Sequence, residues 1–294
     1  MSLFVRFWGT RGSIPTPGSK TRRYGGNTSC VEVNAGGQLF ILDAGTGLRE
    51  LGHDLLTRNL DTVEAHLFFS HTHWDHIQGF PFFIPAYRPT TQIHVYEIAR
   101  HDERFTRLLL GQMRSEYFPV SFSDLGGHIL PGYFENDCAK VDGVVLRCLE
   151  QTHPGRSFAY RLEQDTRSIV YATDSELDLM LENKEQTLKD FDVLRVSPRA
   201  ITDFVRDADL LIADAQYTDV EYAKKIGWGH SRVSTVVDLA VRANVKRLAL
   251  FHHDPLHSDD QIDSIVDAAR QRAALRGSNL DVFAAREDLV LKIP

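Results

Sequence analysis

The stretch His71-Thr72-His73-Trp74-Asp75-His76 carries three imidazoles and one carboxylate in a short run of chain. It follows directly on residues 66–70, an apolar and aromatic run with the pattern of a short strand. In a loop after a strand, the two alternating histidines can reach one ion, and the Asp-His pair on the next turn can reach a second. Mixed imidazole and carboxylate ligands suit Zn²⁺, Mn²⁺ or Fe²⁺ and do not suit Ca²⁺. The stretch therefore predicts a centre for two divalent metal ions. A His-rich solvated loop is the alternative, and a structural zinc site is disfavoured because such sites prefer Cys ligands.

Other strand-like runs also end in a group that can bind a metal. Asp43, His153, Asp174 and His252 each stand within a residue or two of the end of such a run. Ligands at the carboxyl ends of several strands are typical of a layered α/β protein with one site at a sheet edge. The placement of these side chains therefore predicts a single shared site.

The charge balance of the chain is acidic. Lys and Arg total 33, Asp and Glu total 40, and the formal net charge is −7. Proteins that bind long nucleic acid neutralise phosphates with Lys and Arg, so this balance predicts no long nucleic-acid partner. A local basic mouth stays open as an alternative.

The cysteines and the hydropathy pattern indicate the cellular location of the protein. Cys30, Cys138 and Cys148 are scattered without CxxC spacing, which is typical of reduced thiols in a cytoplasmic protein. No apolar run of about 18 residues is present, so we expect no membrane span. No linker or repeat divides the chain, and one domain over residues 1–294 is the simplest interpretation.

The motifs together resemble the metallo-β-lactamase superfamily. The stretch quoted above resembles its HxHxDH signature, and four further motifs follow the family's order: LDAGTG at 42–47, QTHPG at 151–155, YATDS at 171–175 and LFHHDP at 250–255. The resemblance implies an α/β fold, a four-layer αββα sandwich of two sheets between helices. Residues 80–142 would be a lid-like insertion that covers the mouth of the site.

The resemblance also implies a ligand set and roles in catalysis. One metal would be held by His71, His73 and His153, the second by Asp75, His76 and His252, with Asp174 bridging both. Zn²⁺ is the expected ion, with Mn²⁺ or Fe²⁺ as alternatives. A water shared by the two ions would be acidified and attack the substrate, which makes Asp75 and Asp174 catalytic as well.

The roles of His252, His253 and Asp43 each have two possible interpretations. The last ligand is His252 or His253; the family's strand-end pattern favours His252, and His253 would then lie behind the ligands or contact substrate. Asp43 resembles the family's early Asp, which fixes a ligating imidazole, although a turn or helix-cap residue is the alternative.

The substrate class depends on features outside the metal motif. His230, in GWGHS at 227–231, resembles a histidine of the phosphodiesterase branch, which includes tRNase Z-like enzymes, where it assists proton transfer to the leaving oxygen. A surface histidine is the alternative. Only a hairpin separates His153 from Asp174, so there is no room for the arm with which tRNase Z enzymes clamp tRNA.

These features predict a small phosphodiester or nucleotide substrate, such as a cyclic nucleotide. The chain then resembles the cyclic-nucleotide phosphodiesterase-like metallohydrolases, and a homodimer is what the resemblance implies for assembly. A lactonase or β-lactamase-like hydrolase is one alternative. A non-hydrolytic redox or ligand-sensing metal protein is the other.

Overall fold

The computed structural model of the protein describes residues 3–58, 60–97 and 104–294. Its strands form two seven-stranded sheets. The strands of the first sheet are β1 (Leu3–Gly9), β2 (Cys30–Ala35), β3 (Gln38–Leu42), β4 (Val63–Phe68), β5 (Thr91–Glu97), β6 (His128–Tyr133) and β14 (Val290–Ile293). Those of the second are β7 (Cys138–Val141), β8 (Val144–Gln151), β9 (Ser157–Gln164), β10 (Arg167–Ala172), β11 (Leu210–Asp214), β12 (Arg247–Phe251) and β13 (Asp281–Ala284).

Both sheets have a parallel half and an antiparallel half. The first has the order β14-β1-β2-β3-β4-β5-β6, and β3 to β6 run parallel to one another. The second has the order β13-β12-β11-β10-β9-β8-β7, and β10 to β13 run parallel. Because the carboxyl ends of parallel strands share one edge, residues that follow β3, β4, β10, β11 and β12 are brought towards each other.

Helices cover the outer face of each sheet. The helices of the described residues are α1 (Gly47–Thr57), α2 (Trp74–Ile77), α3 (Arg104–Gln112), α4 (Lys184–Lys189), α5 (Arg199–Phe204), α6 (Asp219–Tyr222), α7 (Val233–Arg242) and α8 (Asp259–Leu275). The long helix α8 begins at a capping box in which the Ser258 side chain accepts from the Gln261 N–H and the Gln261 side chain accepts in return. No helix among the described residues is long and apolar enough to cross a membrane.

Strand alternation builds the layers. In β3, Phe40 faces the core between the two sheets, whereas Ile41 packs with Leu51 of α1 on the outer side. In β10, Tyr171 faces the same inner core and Val170 packs under α7 and α8. Successive side chains of a strand point to opposite faces, and here both faces are buried. The four-layer αββα sandwich expected from the sequence is thus confirmed.

The segment 80–142 supplies strands as well as connections. It contains β5 and β6 at one edge of the first sheet and β7 at one edge of the second. Its residues 98–103 lie outside the described part of the chain. That the segment acts as a lid, and that residues 1–294 form one domain, stay predictions.

Candidate metal centre

Three residues of the site lie in left-handed backbone where a strand ends. Asp43, Asp174 and His252 have φ angles of 63°, 49° and 58°. Asp is enriched in this region because its short polar side chain tolerates it, and strained backbone of this kind concentrates at functional sites. Because the chain turns sharply where each strand ends, these side chains lie at the shared edge of the two sheets.

His71, His73 and His153 form the first group of candidate ligands. Each offers a ring nitrogen, and these atoms lie within 4.8 Å of one another. His153 Nε2 lies 3.1 Å from His73 Nδ1. The structure thus brings together three imidazoles from the loop after β4 and the loop after β8.

Asp75, His76 and His252 form the second group, and Asp174 lies between the groups. His76 Nε2 and His252 Nε2 both lie 3.3 Å from Asp174 Oδ1, and both approach Asp75 Oδ2, at 3.2 and 3.1 Å. On the other side, Asp174 Oδ2 lies 3.6 Å from His71 Nε2 and 3.9 Å from His153 Nε2. The two oxygens of Asp174 therefore face different candidate ligand groups, an arrangement in which one carboxylate could bridge two ions.

The donor atoms fit two divalent ions. The Nε2 atom of His71 is buried and has no hydrogen-bond partner, which leaves an orphaned acceptor in the centre. His76 Nε2 and His252 Nε2 approach to 3.3 Å. Imidazole and carboxylate donors packed in this way match the ligands of Zn²⁺ and related ions.

In three of these histidines, the opposite ring nitrogen is held by a protein group. Nδ1 of His76 lies 2.8 Å from Asp43 Oδ2, Nδ1 of His153 donates to the Gly229 carbonyl at 2.8 Å, and Nδ1 of His252 donates to Gln216 Oε1 at 3.1 Å. Such partners fix the tautomer and leave Nε2 free for a metal. Asp43 is also held, since Asp43 Oδ2 accepts hydrogen bonds from the Ser70 and Tyr171 hydroxyls.

The electrostatics of the centre suit cation binding. Burial, with nearby His76, holds the pKa of His71 well below its usual range, so that ring is neutral and ready to bind. Burial alone would raise the pKa of Asp174, but the charges of His252 and His76 hold it well below its usual range. Burial would likewise lower the pKa of His76, yet Asp174 and the neighbouring carboxylates raise it well above its usual range. Positive charge among these carboxylates is therefore stabilised, and divalent ions would supply it.

His252 and His253 have different surroundings. His252 faces Asp75 and Asp174, whereas the Nε2 of His253 donates to the Ala285 carbonyl at 2.9 Å, and burial lowers the pKa of His253 to about 3. The geometry therefore favours His252 as the ligand. His253 is buried behind His252 and is bound to the Ala285 carbonyl.

His230 lies beside the ligands and is held by an aspartate. His230 Nδ1 lies 2.8 Å from Asp214 Oδ2, and its ring stacks on His252 at 4.9 Å between centroids. Burial alone would lower the pKa of His230, but the charge and hydrogen bond of Asp214 raise it to about 9. Asp214 therefore favours the protonated form of His230.

Some groups that complete the centre were not among the sequence candidates. Asp214 ends β11, and that strand-end position was its available signal. Gln216 and the Gly229 carbonyl act through contacts between distant parts of the chain and have no local signal. The Ser13 N–H donates to Asp75 Oδ2 at 2.7 Å, which brings the N-terminal loop to the second ligand group.

Replacing Asp43 by asparagine is expected to weaken zinc binding by about 10–100-fold, the usual effect of losing a partner behind a ligand. Asparagine keeps the shape and tolerates the left-handed backbone, so the change removes mainly the charge and an acceptor. Competition with a zinc chelator measures the affinity. An unchanged affinity with intact folding would contradict the role of Asp43.

The chain is similar to proteins named ribonuclease Z. It is 26% identical over 332 residues to ribonuclease Z of Halobacterium salinarum, with 100% of this chain and 98% of the relative covered. Among solved structures, the metallo-β-lactamase fold protein YhfI of Bacillus subtilis shares the fold at a TM-score of 0.69 and 18% identity, covering 99% of both chains. The short form of human tRNase Z does so at 0.66 and 19%, again over 99% of both chains.

These relatives correct one prediction. The absence of a long nucleic-acid partner, inferred from the net charge of −7, is wrong, because the relative that the chain matches from end to end is named as a ribonuclease. Net charge is a sum over the whole molecule and does not say which face its Lys and Arg residues occupy.

A family model confirms the resemblance drawn from the motifs. The model described as beta-lactamase superfamily domain matches residues 39–253, a span that starts in β3 and ends just after β12. This span contains every candidate ligand of the two groups. The chain therefore belongs to the β-lactamase superfamily and is a metal-dependent hydrolase with the metallo-β-lactamase fold.

Proposed function

We propose that this protein is a phosphodiesterase that works with two divalent metal ions. His71, His73 and His153 would hold one ion, Asp75, His76 and His252 the other, and Asp174 would bridge them. Zn²⁺ is the proposed ion, with Mn²⁺ or Fe²⁺ as alternatives. When bound, such a pair lowers the pKa of a water towards neutrality and stabilises negative charge on phosphate oxygens.

The observation that carries the choice of a phosphodiester is the His230–Asp214 pair beside the ligands. Asp214 occupies Nδ1 of His230, so Nε2 is the nitrogen that can give a proton. A departing alkoxide needs a proton when a phosphodiester breaks, and a protonated imidazole supplies it as a general acid. A lactonase or β-lactamase of the same fold is the alternative. Its leaving group also takes up a proton, so the substrate panel separates it from a phosphodiesterase.

A small phosphodiester, such as a cyclic nucleotide, is the proposed substrate. The support is the connection between His153 and Asp174, where β9 and β10 form a tight antiparallel hairpin with Gln164 paired to Arg167. A long arm for grasping a large substrate is absent from this hairpin, all of which the structure describes. In the described structure no disulfide joins the cysteines of the chain, and a reducing, cytoplasmic location is the proposed one.

RNA is the second candidate substrate, and the end-to-end similarity to ribonuclease Z favours it. The two candidates share the reaction, because both contain a phosphodiester and an alkoxide leaving group. They differ in the surface that must bind the rest of the substrate.

A substrate panel separates the candidates. Protein loaded with Zn²⁺ or Mn²⁺ is assayed with 2′,3′- and 3′,5′-cyclic nucleotides, dinucleotides, a precursor tRNA, a lactone and a chromogenic β-lactam. We expect turnover of diesters to monoesters, fastest with a small substrate. Faster cleavage of the precursor tRNA would establish the second candidate, and opening of the lactone or lactam alone would overturn the phosphodiesterase proposal.

Replacing Asp214 by asparagine is expected to shift the pH dependence of kcat. Asp214 raises the pKa of His230, so its neutralisation lowers that pKa. The proton on a general acid is lost as pH rises through its pKa, and the alkaline decline of kcat therefore moves to lower pH. A pH–kcat profile measures the shift; an unmoved alkaline limb would contradict the pairing.

A further inference from the structure

We propose that Glu176 is a positioning residue that holds the loop carrying His230 and, through that loop, orients the metal ligand His153. This inference rests on the metal centre of the proposed function. Glu176 stands two positions after the bridging Asp174, and its side chain is not a metal ligand in either group.

The carboxylate of Glu176 is buried and receives three hydrogen bonds. Oε1 accepts from the Gly227 N–H and from the Tyr222 hydroxyl, both at 2.7 Å, and Oε2 accepts from the Gly229 N–H at 2.8 Å. Glu176 is 1% exposed, and within the described ranges no Lys, Arg or His makes an ion pair with it. A buried charge without a counter-ion is costly unless donors satisfy it, and these three donors do so.

The loop has the backbone geometry that such an anion needs. Gly227 and Gly229 have φ angles of 88° and 92°, which L side chains rarely adopt. A Cβ at position 229 would lie 2.4 Å from His153 Nδ1. The N–H groups of the two glycines converge on one carboxylate, an arrangement in which backbone donors bind an anion.

The next contact reaches the metal ligand. The carbonyl of Gly229, whose N–H is bound to Glu176, accepts the Nδ1–H of His153 at 2.8 Å. This bond selects the tautomer in which Nε2 of His153 is unprotonated and free for the metal. Glu176 therefore acts on His153 through one intervening residue, Gly229.

The backbone of Glu176 ties in the same ligand a second time. Its N–H donates to the Thr152 carbonyl at 2.7 Å, and Thr152 directly precedes His153. Because His230 follows Gly229 in the chain, one glutamate connects the bridging ligand, a terminal ligand and the proposed general acid. No other group within the described ranges accepts from both loop glycines through its side chain.

Glu176→Gln tests the inference in the full-length protein. The amide keeps the size of the side chain but presents N–H groups to a backbone donor, so at least one of the loop contacts is lost. We expect zinc affinity, measured by chelator competition, to fall about 10–100-fold. The absorption spectrum of the Co²⁺-loaded protein should change in parallel, because it reports the ligand geometry around the ion.

Two further variants sharpen the test. Tyr222→Phe removes one donor and leaves both glycine contacts, so we expect a smaller fall in zinc affinity. This variant replaces Glu176→Gln as the test if Glu176→Gln does not fold. Glu185→Gln is the matched control, since Glu185 is exposed on α4 and should leave affinity and spectrum unchanged.

The readouts separate this inference from the proposed function. Zinc affinity and the Co²⁺ spectrum involve no substrate, so they report on Glu176 even if the protein hydrolyses something other than a phosphodiester. If Glu176→Gln lowers only the melting temperature and leaves affinity, spectrum and kcat as in the unmodified chain, Glu176 is structural and the inference is wrong.

Discussion

Replacing Asp174 by alanine is expected to lower phosphodiester turnover by about 10³-fold or more. Its two oxygens face different ligand groups, so the change removes a ligand from both ions at once. Charge stabilisation by bound metals contributes several kcal/mol to such reactions, and each ~1.4 kcal/mol is a factor of ten in rate. Steady-state kinetics together with metal content by mass spectrometry measure the effect.

Asp165→Ala is the matched control for that variant. Asp165 is an exposed aspartate in the hairpin that leads to Asp174, and it also lies in left-handed backbone, with a φ of 55°. The two substitutions therefore impose a similar backbone strain, and only one removes a proposed ligand. If Asp174→Ala kept its full metal content and full activity, the proposed bridging role of Asp174 would be wrong.

Replacing His230 by alanine is expected to lower kcat by about 10²–10⁴-fold for a substrate with an alkoxide leaving group. The loss arises because the departing oxygen no longer receives a proton. A nitrophenolate leaves without one, so bis-p-nitrophenyl phosphate should be affected far less. The ratio of the two kcat values measures the proton donation directly.

One result of this comparison would contradict the role of His230 as a proton donor. An equal loss with both substrates would mean that His230 binds phosphate and does not donate the proton. His53→Ala, a histidine exposed on α1, should change neither rate. Zinc content should stay unchanged in both variants, because His230 is not among the proposed ligands.

The ligands could be predicted from sequence because each has a local signal. His71, Asp174 and His252 follow apolar strands of clear pattern, and the carboxyl ends of parallel strands meet at one edge. The layers were implied by the resemblance to the superfamily. Runs such as 39–42 agree with them, because they are apolar on both faces and are covered on both sides.

The groups behind the ligands could not be predicted in this way. Gln216, Tyr171 and the Gly229 carbonyl reach their partners across long stretches of chain, and nothing in their sequence neighbourhood marks them. Their roles depend on how β10, β11 and the loop before α7 pack against each other. Such contacts are a product of tertiary structure.

The prediction about nucleic acid failed for a different reason. Net charge was used as evidence about a binding surface, although a charge of −7 summed over the chain leaves the local distribution open. The choice between a small diester and RNA therefore depends on assays with both substrates.

The central claim is that these ligands would hold two ions, which would supply a water acidic enough to attack the phosphorus of a diester. Its most direct test is hydrolysis of a cyclic nucleotide in H₂¹⁸O by protein loaded with increasing Zn²⁺, with mass analysis of the product. We expect activity to rise up to two equivalents of zinc and the product to be a monoester with one ¹⁸O on phosphorus. A loaded protein that leaves every phosphodiester intact while it opens a lactone or β-lactam would contradict the claim.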